Sequence, residues 1–70
     1  MGSVELRINL EACRVNAGMK QTAWAKELGV NPATVINWEK GRSEPNTSQL
    51  RKISELSGIP MDYIFVPEKS

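Results

Sequence analysis

Seventy residues with nine Lys or Arg against eight Asp or Glu, a net charge of +1 and 40% hydrophobic side chains describe one small domain with a core of few pieces. The single Cys13 excludes an intramolecular disulfide, and the absence of histidine leaves no zinc-type ligand set, so no metal, cofactor or small-molecule ligand is expected. No apolar run approaches the roughly 18 residues that span a bilayer, and the start MGSVELR lacks a basic segment followed by an apolar one, so a cytoplasmic chain without membrane contact is expected.

In residues 6–17, Leu6, Leu10, Cys13 and Ala17 step by four, three and four, which is one stripe of an amphipathic helix closed by Gly18. Residues 1–5 precede it as a tail, and residues 6–65 form the domain. Cys13 on that stripe reads as a small core hydrophobe, and Arg14 lies beside the stripe. Met19 opens a second segment in which Trp24, Ala25 and Leu28 face inward, about two turns of helix before Gly29. Gly29-Val30-Asn31 is too short to let the next helix turn back gently, so the two helices cross steeply.

Residues 32–40, PATVINWEK, then place Val35 and Trp38 on one side of a helix and Ala33, Ile36, Asn37 and Lys40 on the other. Asn31 suits the cap, Pro32 the first helical position and Gly41 the residue that ends the helix. Ile36 gains nothing from water, so the outward set reads as a probe for the major groove of duplex DNA. With a net charge so near zero, any phosphate-binding surface must come from local clustering. Residues 41–45 are a loop. Asn46 and Gln49 have the spacing of a capping box, and Leu50, Ile53 and Leu56 give the apolar face of a fourth helix ending at Gly58.

Residues 60–65 form a last turn or short helix. Ile64 and one other are expected to dock on the first and fourth helices, leaving Tyr63 and Met61 or Phe65 as surface for a two-fold partner; the alternative is that all four finish the core of the monomer. Residues 66–70 form a tail. No strand-like alternation is present. The fold class is therefore all-α, a compact bundle of about five short helices with a helix-turn-helix at its centre.

Residues 14–45, with Gly18-Met19-Lys20-Gln21-Thr22, Ala25-Lys26-Glu27-Leu28-Gly29-Val30, Thr34-Val35, Trp38-Glu39-Lys40-Gly41 and Pro45, resemble the helix-turn-helix domain of Cro and phage repressor proteins. The resemblance implies a lambda-repressor-like bundle and a transcriptional regulator, most simply a Cro-like repressor. Such a protein binds double-stranded DNA as a homodimer on a pseudo-palindromic operator, with the second helix of the motif in the major groove. It makes Gln21 a phosphate contact aided by the positive end of its helix, with Lys20, Thr34, Lys40 and Arg42 as further phosphate contacts. Lys20 stands where the family usually has a small polar cap, so the start of the second helix either frays or relies on a backbone cap. Base contacts map to Pro32, Ala33, Ile36 and Asn37. The first two lack a side-chain donor or acceptor, so readout falls to Asn37 on adenine and to methyl contacts from Ala33 and Ile36 on thymine, favouring an A·T-leaning half-site. Arg14 and Glu39 match a pair that joins the first and third helices. Trp24 and Trp38 belong to the core, and Arg51 and Lys52 to a solvated face.

A second reading is an antitoxin or antirepressor that keeps the fold and binds a protein, favoured by the mild charge and by the two uncharged residues that open the reading helix. An enzyme is excluded by inventory: there is no histidine, the lone cysteine faces the core, and no carboxylate pair has a marked cleft.

Overall fold

Asn9 sets the first boundary of the fold. In the computed structural model, which describes residues 8–66, its backbone is extended and its side-chain Oδ1 accepts the Ala12 N–H at 2.7 Å, capping the helix that follows. The elements run β1 (Ile8–Asn9), α1 (Leu10–Asn16), α2 (Gln21–Leu28), α3 (Pro32–Glu39), α4 (Thr47–Ser57), a 3-10 turn (Met61–Tyr63) and β2 (Ile64–Phe65).

Two expectations are corrected here. The first helix starts at Leu10, because Asn9 diverts the chain into an extended segment just before it; Leu6 lies outside the described residues. The chain also contains strands: Ile8 pairs with Ile64 and Asn9 with Phe65 in a parallel two-stranded ladder. Two residues are too few to show a period of two, and the partner lies at the far end of the described chain. The turn or short helix expected over residues 60–65 is one 3-10 turn leading into β2. Among the described residues there are four α-helices, and the fold is mostly all-α.

The remaining boundaries follow local chemistry. Lys20 contributes no side-chain bond to the start of α2, which is held by the Trp24 N–H donating to the Lys20 carbonyl at 2.9 Å. Gly29 ends α2 at φ +71°, letting the Val30 N–H reach back to the Ala25 carbonyl at 2.9 Å. Asn31 Oδ1 accepts the Ala33 N–H at 2.9 Å, Pro32 takes the first position of α3, and Gly41 past its end lies at φ +76°. At the start of α4, Asn46 and Gln49 exchange reciprocal bonds of 2.7 and 2.8 Å.

Leu10, Cys13, Trp24, Ala25, Val35, Trp38, Ile53 and Ile59 form the core, with Leu28, Leu50, Leu56 and Ile64 partly buried around it. Both tryptophans are interior, which leaves neither as a stacking platform. Burial pushes the Cys13 thiol above its ordinary range, against a smaller downward pull from a hydrogen bond with Ser57. Ser57 is itself buried: its Oγ accepts the Ile59 N–H at 3.2 Å, while its carbonyl accepts from Asn16 Nδ2 at 2.8 Å and ties α4 to α1. Among the described residues no helix is long and apolar enough to cross a membrane, and no His, Cys, Asp or Glu group could hold a metal ion.

A Cβ built on Gly29 meets nothing within 4 Å, so Gly29→Ala isolates the cost of the left-handed backbone. A loss of about 1 kcal/mol, read as a fall of roughly 4–8 °C in the thermal midpoint of a domain this small, is the expected outcome by circular dichroism.

Candidate nucleic-acid interface

Alone in water α3 would be too short to hold its shape. Its rigidity comes from Val35, 0% exposed, and Trp38, 3% exposed, which seat one side of it in the core. The opposite side is surface. Pro32, Ala33 and Lys40 are exposed, while Thr34, Ile36 and Asn37 are half-buried at the flanks. Ala33 and Lys40 thus lie open on this side, with Ile36 and Asn37 partly covered beside them. Among the described residues the Asn37 side chain makes no hydrogen bond, so its amide donor and acceptor remain available to a ligand.

The Asn37 backbone has a second task that residue types did not reveal. Its carbonyl accepts the Arg42 N–H at 2.8 Å and the Ser43 N–H at 3.4 Å, which fixes the start of the loop after α3. Arg42 and Lys40 are both exposed there, one within the loop and one at the end of the ridge. Lys20 is exposed just before α2, and Arg51 and Lys52 are exposed on α4.

Behind the ridge lies a polar network. Arg14 Nε donates to Glu39 Oε2 at 2.7 Å and Arg14 Nη2 to Glu39 Oε1 at 3.5 Å, a side-on pairing between α1 and the end of α3. Arg14 Nη1 donates to the Met19 carbonyl at 2.9 Å, fastening the link between α1 and α2. Gln21, at the start of α2, donates from Nε2 to Glu39 Oε1 at 3.0 Å. The two charged side chains are only 13% and 8% exposed. The structure thus brings Arg14, Gln21 and Glu39 together on three helices. The Gln21 to Glu39 bond joins residues far apart in the chain, and no periodic signal announces it.

Met61, Tyr63 and Phe65 are 37%, 44% and 39% exposed, while Ile64 between the last two packs on the core. Alternation in β2 separates Ile64 from Phe65. Val15 is a further exposed hydrophobe, on the side of α1 away from its buried stripe.

A family model described as helix-turn-helix matches residues 10–64. An uncharacterized HTH-type transcriptional regulator of Methanocaldococcus jannaschii is 32% identical over 63 residues, covering 90% of this chain and 96% of that protein. An SPbeta prophage-derived HTH-type transcriptional regulator of Bacillus subtilis is 31% identical over 55 residues, 79% of this chain and 51% of the relative. An HTH-type transcriptional regulator of Haemophilus influenzae is 34% identical over 41 residues, 59% of this chain and 17% of its own length. The chain thus spans about half of one of these relatives and a small part of another. No solved structure matches it.

Replacing Arg14 strands a carboxylate that is almost wholly covered. Arg14→Met, which keeps the length of the stem, is expected to lower unfolding stability by about 3 kcal/mol in urea titration, the scale set by a buried charge left without its partner.

Proposed function

The chain belongs to the Cro/C1-type helix-turn-helix family, and from that membership we propose that it binds double-stranded DNA sequence-specifically and regulates transcription, most simply as a Cro-like repressor that occupies an operator. The observation that carries the reading is the outward ridge of α3, seated by Val35 and Trp38 and carrying an Asn37 amide with no internal partner. That ridge enters the major groove, which admits a helix. Asn37 pairs with adenine through its donor and acceptor, while Ala33 and Ile36 meet thymine methyl groups. Pro32 at the helix start packs close to the bases without reading a hydrogen-bond pattern.

Phosphates on either side of the groove fall to Gln21, Lys20 and Thr34 and to Lys40 and Arg42, with the first amides of α2 adding partial positive charge. Met61, Tyr63 and Phe65 supply the contact between two copies, so that the two ridges lie about one DNA turn apart on a pseudo-palindrome. The relatives' shared description as transcriptional regulators, one of them prophage-derived, supports this reading.

The uncharged Pro32 and Ala33 at the head of the ridge favour the other reading, an antitoxin or antirepressor that docks on a protein. Salt-dependent retention on random duplex DNA separates the two, because only the DNA reader releases counterions from phosphate.

A selection from randomised duplexes is expected to return A·T-leaning half-sites, and Asn37→Ala to relax that preference at one position with a loss of about 1–3 kcal/mol; G·C-rich sites insensitive to the substitution would defeat the assignment. Arg42→Ala is expected to weaken all sequences alike and to reduce the slope of log affinity against log salt by about 1, measured by fluorescence anisotropy across a salt series.

A further inference from the structure

Glu39 is a carboxylate flanked by two donors. Arg14 holds it through Nε and Nη2, and the Gln21 amide approaches Oε1 at 3.0 Å. An ionised carboxylate accepts and cannot donate. Only the nitrogen of the Gln21 amide can therefore face it, and the Gln21 carbonyl oxygen must turn away from α3.

The chain's other glutamine is oriented the opposite way. Gln49 Oε1 accepts the Asn46 N–H at 2.7 Å, and its NH2 group is left for water. The same side chain is thus set in two senses by two different neighbours.

We infer that Glu39 is a positioning residue for DNA: it fixes the rotation of the Gln21 amide so that one N–H is held by α3 and the second is the donor offered to phosphate. This rests on the proposal that Gln21 meets the DNA backbone. A phosphate oxygen, like a carboxylate, only accepts, so Gln21 becomes a neutral bridge between two anions through its two amide hydrogens. Arg14 makes that arrangement tolerable by neutralising Glu39, which would otherwise repel the approaching phosphate. The Arg14 to Glu39 pair therefore governs the phosphate contact as well as the placing of α3.

The first test uses the parent protein. In 15N-labelled protein, with the Gln21 side-chain resonances assigned by their loss in Gln21→Met, one of the two Gln21 amide protons is expected to exchange with water about tenfold more slowly than those of Gln49. On addition of a bound duplex the other proton should shift. Equal exchange of both Gln21 protons, matching Gln49, overturns the inference.

The second test is an affinity cycle in Gln21→Met, Glu39→Gln and the double variant. Each single change is expected to weaken duplex binding roughly threefold to tenfold, and the double variant to be no weaker than the poorer single. A purely structural Glu39 would give additive losses, which overturns the inference while leaving DNA binding intact. No loss in Gln21→Met also overturns it. A parent without salt-dependent duplex binding removes the functional reading itself, and the inference with it. If Glu39→Gln does not fold, the exchange comparison in the parent decides.

Discussion

The pairing of Arg14 with Glu39 is the constraint on which the geometry of this small domain turns. Two charges with little access to water are tolerated only when their hydrogen-bonding capacity is met. Arg14 meets it by donating to Glu39 and to the Met19 carbonyl, and Glu39 by accepting from Arg14 and Gln21. Each bond reaches a different part of the helical framework. The end of α3 cannot slide or roll far without stranding a charge, whereas a purely apolar contact would let it drift at small cost. Packing against Val35 and Trp38 fixes the depth of α3, and the ion pair fixes its rotation.

That division matters for the proposed contact with base edges, which tolerates little misplacement of the helix. An eight-residue helix contributes almost no stability of its own. Its caps at Asn31 and Gly41 set where it begins and ends, and its direction is borrowed from α1 and α2. The Asn37 carbonyl extends the same discipline past the helix by anchoring the backbone of Arg42. Cation, amide and methyl groups consequently lie along one continuous stretch of chain whose backbone is held throughout.

Much of this was legible in the residues. Asn31-Pro32 and Gly41 mark α3, Asn46 with Gln49 marks α4, and the spacing of Trp24, Ala25, Val35, Trp38 and Ile53 gives the inward faces, because caps and helical periods are local properties. What failed was non-local. The one local exception is the start of α1, where the Leu6 spacing suggests an extra turn but Asn9 caps the helix just before Leu10. The strand pair joins two dipeptides from the ends of the described chain and leaves no periodic trace. Ser57 is buried where its carbonyl accepts from Asn16, a contact that exists only once α1 and α4 meet. The Gln21 to Glu39 bond is of the same kind: both residues could be singled out, but not their meeting.

The parallel pairing of Ile8–Asn9 with Ile64–Phe65 has a kinetic consequence. It is the smallest pairing among the described residues and encloses nearly all of them, so the entropy of closing that long loop falls on very few bonds. Such a clasp fastens after the helices have packed and lets go before they separate. The order of loosening is thereby set: the rim beside β1 and β2 opens while α3 is still held by Arg14 and the two tryptophans. The domain can breathe at its seam without blurring the surface it presents.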